Sequence, residues 1–340
     1  MKITNLQKCI PEVTGILPGL VPVLLIGAAA WWFGKTIPIL GGPVAAILIG
    51  LAAGEIFGHR PQWERGLLFS SKTVLQASIV LLGAEMSLAK VARIGIDGLP
   101  VMAGTLVICV GAGIVIGRAM QIEHDTRVLI TYGTAICGAS AIATMSAVIG
   151  ATGPAIAISV TVIVAYNVLA AIVFPAVGHM LGLSQEAFGM WSGTAINDTS
   201  SVVAAAAVYG TVAAGYAVVV KLTRTLALVP LAVFQSWFQN RDLPEEKRRE
   251  MDWYRLIPLF LVLFLVAVMV QSAGLIPEAW SGPVKFLAYF GITAAMAAVG
   301  MRSSFSAIRS TGWKPLAFGG ILWILVAVSS LVLQWLTGQL

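Results

Sequence analysis

The stretch Gly133-Thr134-Ala135-Ile136-Cys137-Gly138-Ala139-Ser140 recurs as Gly193-Thr194-Ala195-Ile196-Asn197-Asp198-Thr199-Ser200. Both copies lie inside long apolar segments, and both place small and polar residues where a uniform helix would carry Leu or Val. Hydrocarbon offers no water to pair free N–H and C=O groups. Non-helical backbone therefore persists at membrane depth only where it is buried in protein or lines a wet cavity. Two matching breaks of this kind point to a transporter binding site. Close helix packing is the plainer explanation for Gly133 or Gly193 taken singly. The recurrence of the whole motif favours a site.

The surrounding chain fits that setting. Hydrophobic residues make up 58% and charged residues 11% of it, against about 25% charged in soluble domains. Mean hydropathy is +0.91. The reading is an all-α polytopic membrane protein, one transmembrane domain over residues 1–340. The net charge of +6 is spread over scattered basic residues, which suits cytoplasmic loops and argues against nucleic acid. Cys9, Cys109 and Cys137 lack metal-ligand spacing and imply no disulfide framework. His59, His124 and His179 fall in predicted loops or segment ends. With no Ser–His–Asp or Cys–His arrangement and no P-loop, neither an enzyme, a metal nor a resident cofactor is expected. The first segment follows Lys2 and Lys8 without a small-residue cleavage pattern, so it reads as a retained helix.

A span needs roughly 20 apolar residues. Segments fall at about 16–36, 40–58, 67–88, 97–117, 128–150, 155–181, 189–210, 212–238, 256–275, 285–303 and 313–337. That makes about eleven. The basic loop Arg241 to Arg255 marks the cytoplasmic side and places the N-terminus there too. A second internal similarity joins Gly83-Ala84-Glu85-Met86-Ser87 through Leu99 to Gly300-Met301-Arg302-Ser303-Ser304 through Leu316. An odd number of crossings separates these copies, so they would form inverted repeats, as in many secondary transporters. Chance likeness between Gly/Ala-rich helices is the alternative. Segments 128–150 and 189–210 are then either re-entrant hairpins entering from opposite faces or full but broken helices. The charge pattern fits both.

Half-helices beginning near Ser140 and Ser200 would aim free N–H groups into the breaks, where an anion is favoured. Asp198 is the sharpest single residue, since an ionisable group at membrane depth costs about 2.5–3.5 kcal/mol on insertion scales. It could couple a proton or sodium ion, shape the site, or cap the following half-helix through Ser200 or Ser201. Lys221 and Arg224 share one helix face at i, i+3 spacing and could neutralise an anion or pair with Asp198. Snorkelling to the interface is the alternative. Glu85 and Arg302 occupy equivalent repeat positions and are either an ion pair or ordinary helix-end charges. Lys72 is either interfacial or pore-lining.

These residues also carry a resemblance. Gly66-Leu67-Leu68-Phe69-Ser70-Ser71-Lys72, Val80-Leu81-Leu82-Gly83-Ala84, the run Gly133 to Ala143, Asn197-Asp198-Thr199 followed by Val202-Val203-Ala204-Ala205, and Lys221-Leu222-Thr223-Arg224 together resemble the YeiH-type family of bacterial membrane proteins. The likeness covers roughly Leu40 to Leu316. It implies a bacterial inner-membrane protein exporting small inorganic anions such as sulfate. Two positions depart from the family pattern: Asn197 stands where many members have His, and Glu85 where Arg is expected. The first weakens any histidine proton carrier, and the second removes one positive charge and bears against sulfate itself.

The expectation is a secondary-active anion transporter working by alternating access, elevator-like by analogy with other broken-helix transporters, and a homodimer by the same analogy. Substrate would meet Gly138, Ser140, Asn197, Thr199 and Ser200, with Lys221 and Arg224 supplying positive field. Asp198 would couple or shape the site, with a proton or sodium ion as coupling ion. A cation–proton antiporter using Asp198 and a passive channel are the alternatives.

Overall fold

The computed structural model describes residues 6–36, 41–58, 60–240, 258–303 and 305–340. Among these, every regular element is helical. In chain order the α-helices are α1 (Leu6–Thr36), α2 (Gly41–Phe57), α3 (Pro61–Leu68), α4 (Leu75–Gly83), α5 (Leu88–Ala119), α6 (His124–Ala135), α7 (Ala139–Ile149) and α8 (Gly153–Met180). There follow α9 (Gln185–Ala195), α10 (Thr199–Tyr209), α11 (Thr211–Leu226), α12 (Leu228–Asn240), α13 (Leu259–Ser272), α14 (Ser281–Arg302), α15 (Phe305–Ser310) and α16 (Trp313–Leu336). A π-helical turn, Phe69–Val74, joins α3 to α4. By length and composition, 7 helices are able to cross a membrane, and Gly41–Phe57, Ala139–Ile149, Thr199–Tyr209 and Leu259–Ser272 are shorter apolar helices. The basic loop 241–255 lies outside the described residues.

The chain forms two compact units, Met1–Met86 with Phe264–Phe305, and Ser87–Leu263 with Ser306–Leu340. Two of the three crossings between units, after Met86 and after Phe305, fall within the internally similar stretches; the third follows Leu263.

The first unit is held by backbone-to-backbone packing of α2 on α14. A Cβ at Gly50 would lie 2.4 Å from the Ala297 carbonyl oxygen, one at Gly300 2.3 Å from that of Ile47, and one at Gly54 2.6 Å from that of Met301. Without water to drive apolar helices together, such close approach supplies the dispersion contacts that hold them. Glu85 and Arg302 do not pair with each other here. Glu85 meets Lys285 at 3.1 Å and accepts from the Ser281 hydroxyl, while Arg302 meets Glu64 at 3.4 Å. Lys72, on the π turn, is exposed.

The second unit contains both sequence breaks, and each turns the chain back on itself. The backbone N–H of Thr152, just beyond α7, donates to the Asp125 carboxylate at the start of α6 (3.1 Å). The N–H groups of Val212 and Ala213, just beyond α10, donate to the Gln185 side-chain oxygen at the start of α9 (3.0 and 3.3 Å). Both α6–α7 and α9–α10 are thus helical hairpins with a break at the tip. Their bases sit at opposite ends of α8, one at its N-cap Thr152, the other beside Leu183, which accepts from the Tyr209 hydroxyl. The 28 residues of α8 extend about 42 Å, so the tips approach its midpoint from either side.

Replacing Gly300 or Gly50 by Ala forces a methyl into backbone and is expected to destabilise the first unit by about 1–3 kcal/mol. The check is the unfolding midpoint of detergent-solubilised protein. Gly111→Ala, where a Cβ meets nothing within 4 Å, is the control that leaves the midpoint in place.

Candidate functional site

Each tip is built differently. α6 stops at Ala135, and the chain turns through Ile136 and Cys137 to Gly138 at φ 66°, ψ −128°. A side chain at that φ is strained, so the turn requires glycine. The turn is closed by the Gly138 N–H donating to the Gly133 carbonyl (2.9 Å). α9 stops at Ala195, and Ile196 to Asp198 run extended before α10 begins at Thr199. The tips touch: a Cβ on Gly138 would lie 3.3 Å from the Asp198 Cβ and 3.6 Å from the Asn167 amide nitrogen.

A helix end releases carbonyls that need donors. Here the donors come from α11. The Lys221 ammonium, 0% exposed, donates to the carbonyls of Ile136 (2.9 Å) and Ile196 (2.8 Å), one from each tip. Arg224, 1% exposed, reaches the Thr134 carbonyl from Nη2 at 3.4 Å. Cations at helix C-termini also oppose the negative end of each dipole. Spacing i, i+3 puts both residues on one face of α11. They do not snorkel; they tie the breaks down from within. Neither makes an ion pair with a carboxylate among the described residues.

The opposite ends of the breaks are donors. The Asn167 side-chain oxygen, near the midpoint of α8 and 3% exposed, accepts from the N–H groups of Asn197 (3.1 Å) and Asp198 (3.3 Å). Asp198 caps α10: one carboxylate oxygen accepts from the Ser201 N–H (2.9 Å), the other from the Ser200 hydroxyl. The first turn of α7 has no side-chain cap, and Ala139 and Ser140 on it are exposed. One helix N-terminus is therefore occupied by a resident carboxylate, and the other is open.

Of the residues singled out in the sequence, Gly138, Asn197, Ser200, Lys221 and Arg224 are buried, Asp198 and Thr199 half-buried and Ser140 exposed. All sit on the two tips or on α11 behind them. Some capacity there is unused. Arg224 Nε and Nη1, both ends of the Asn197 amide, and the Thr134 hydroxyl are buried with no partner among the described residues. Asn167 escaped the sequence reading. Its signal was one amide in the middle of an apolar segment, 155–181, otherwise free of charge. Ser330 and Gln334 on α16 were missed as well. Ser330 meets the Thr194 hydroxyl at 2.6 Å and accepts from Gln334 at 3.2 Å, backing the second tip.

Lys221→Met keeps the volume and removes both carbonyl partners. An unpaired buried acceptor costs about 1–3 kcal/mol, so a loss of roughly 2–5 kcal/mol is expected, read as a fall in the unfolding midpoint. A midpoint at the wild-type value would show that the tips do not depend on this ammonium.

The family described as Conserved hypothetical protein 698 matches residues 18–319, which include both hairpins, α8 and α11. A UPF0324 membrane protein of Streptococcus pyogenes serotype M18 is 36% identical over 327 residues, 94% of this chain and 96% of its own length. One from Streptococcus agalactiae serotype V is 34% identical over 330 residues, 95% and 98% of the two chains. One from Streptococcus pneumoniae strain R6 is 36% identical over 328 residues, 94% and 97%. With matches of this extent and a helical chain this apolar, the protein is a multi-pass membrane protein and belongs to the UPF0324 family, the YeiH-type family that its motifs resemble.

Proposed function

We propose that the protein is a secondary-active transporter of a small anion, a sulfate-like or other small oxyanion or an organic anion, held where the two tips meet. In this reading the hairpins are re-entrant, dipping into the bilayer of the bacterial inner membrane from opposite faces. The length of α8, about 42 Å against about 30 Å of hydrocarbon, supports tips near the bilayer centre. The fall of two of the unit crossings within the internally similar stretches supports inverted repeats. Transport would then proceed by alternating access of elevator type, with the unit that contains the tips carrying the ion.

The observation that carries the reading is the charge at the crossing. Two buried cations, Lys221 and Arg224, stand on α11 behind the tips, which carry one carboxylate, Asp198. The dipole ends of four short helices largely cancel, two positive and two negative. One positive charge is left over, on a guanidinium with two unused nitrogens. A charge buried without compensation costs several kcal/mol, and an anion nearby relieves it. The open first turn of α7, with Gly138 and Ser140, and the amide of Asn197 supply donors. Thr199 and Ser200 lie on the facing helix. Lys221 acts through its field, because its ammonium is already engaged by the two carbonyls.

A cation–proton antiporter is the second reading, favoured by the half-buried Asp198 carboxylate at the crossing. Flux driven by a sodium or pH gradient and indifferent to added anions would select it.

The test is flux into proteoliposomes of sulfate, chloride, nitrate and formate. Saturable uptake of at least one is expected, reduced several-fold by Ser140→Ala. Arg224→Leu should lower it roughly tenfold or more, about 1.4 kcal/mol of lost stabilisation. Uptake of every anion at the wild-type rate in both variants would overturn the proposal.

A further inference from the structure

We propose that each anion enters together with one proton, and that the proton is held on the carboxyl group of Asp198. The inference rests on the anion reading above and deepens it by naming the co-transported ion.

The geometry is a competition. Asp198 Oδ1 accepts from the Ser201 N–H and Oδ2 from the Ser200 hydroxyl. These are the donors that the N-terminus of α10 would otherwise offer to an anion. Asp198 also packs against the first tip, its Cβ 3.3 Å from where a Cβ on Gly138 would be. A charged Asp198 is thus a built-in anion at the N-terminus of α10, on the tip that touches the first. A second anion there meets a like charge and donors already spent. The unpartnered amide of Asn197, the adjoining residue and 1% exposed, shows that the tip retains polar capacity beyond what the chain itself uses.

Protonation removes the conflict without dismantling the cap. One proton passes from a hydronium ion to Oδ2: an O–H bond of the hydronium breaks as the carboxyl O–H forms, water is left, and the Ser200 hydroxyl no longer donates to Oδ2. Oδ1 goes on accepting the Ser201 N–H, so α10 keeps its first turn. The new O–H and the freed Ser200 hydroxyl both become donors to the incoming anion. Around this group, α8 presents Asn167 and the first tip presents Gly138 and the buried Cys137. From α11 comes Lys221, with Arg224 one turn further along, and on α10 itself stand Ser200 and Ser201. Lys221 and Arg224 already donate to the carbonyls of the breaks, whereas a proton on Asp198 changes which donors an incoming anion meets. A bound anion and a bound proton therefore favour each other, by an equal factor in both directions.

The experiment is isothermal titration of the full-length protein with sulfate, chloride, nitrate and formate in turn, from pH 5 to pH 8. Buffers of differing ionisation enthalpy count the protons taken up. For an anion that binds, the dissociation constant is expected to rise up to tenfold per pH unit once the carboxyl has lost its proton, with one proton bound per anion. Asp198→Asn retains a good N-cap and stays neutral. It should bind the same anion with a constant changing less than twofold over the range, and without proton uptake. Asp198→Ser, a second capping residue, guards against an Asn variant that fails to fold. Binding independent of pH in the wild-type protein, or proton uptake that survives in the variants, overturns the proton site and leaves the anion reading standing. No binding of any of the four anions to any of the proteins sinks both.

Discussion

One ammonium group ties the second unit together. Two helix ends meeting inside an apolar bundle release carbonyls that need donors. Lys221 gathers one from each break onto a single nitrogen. The cost of burying its charge is offset at two helix C-termini, where the partial charges are negative. This arrangement also explains why the tips must meet: an isolated hairpin would leave its own carbonyl unpaired. Arg224 extends the same device one turn further, to the carbonyl of Thr134. α11 begins at the base of the second hairpin, and ten residues at 1.5 Å each bring Lys221 about 15 Å along. That is close to the length of the short helices it must reach past.

The donor ends are handled with less symmetry. Asn167 receives two N–H groups from the second break on one oxygen, and Asp198 then caps α10. At the first break, glycine replaces a capping side chain, and the first turn of α7 opens outward. The two motifs share Gly-Thr-Ala-Ile, and they part at Cys137-Gly138 against Asn197-Asp198. That two-residue difference decides which helix N-terminus is occupied and which is open. Equivalent sequence positions thus produce one closed and one open end within a single crossing.

Much of this was legible in the chain. Low charge and high hydropathy gave the membrane class, because a soluble core cannot use so few charges. The repeated motif marked both breaks, and the half-helices start within one residue of where Ser140 and Ser200 suggested. Spacing alone put Lys221 and Arg224 on one face. What the sequence withheld was tertiary. Hairpin and broken span contain the same residues at the same lengths, and only the Asp125–Thr152 and Gln185–Val212 contacts distinguish them. The partners of Lys221 are backbone carbonyls, which carry no side-chain signature. Asn167 looked like one polar residue among many apolar ones, since nothing local says that two N–H groups will arrive from thirty residues away. In the first unit, Gly50, Gly54 and Gly300 mattered through neighbours distant in sequence, and the same residue type at Gly111 meets nothing.

Unpaired buried groups are concentrated at one end of the crossing. Buried hydroxyls in these helices ordinarily bond back to a carbonyl one turn earlier. Thr105 does so to Val101, Thr225 to Lys221 and Thr293 to Tyr289. Thr194, in the second motif, bonds back to Met190 and meets Ser330 as well. Thr134 holds the same place in the first motif and has no partner among the described residues. Single unpaired polar atoms occur elsewhere, at Ser70, Thr131, Ser159, Gln271, Trp323, Gln334 and Gln339, but a guanidinium with two idle nitrogens and an amide idle at both ends are a larger imbalance. A core that held this crossing for stability alone would gain from satisfying them, because each idle group carries a desolvation penalty of about 1–3 kcal/mol. Their presence in Arg224, Asn197 and Thr134, all on the two tips or the helix behind them, fits the proposed anion site, whose groups would be better paired when it is filled.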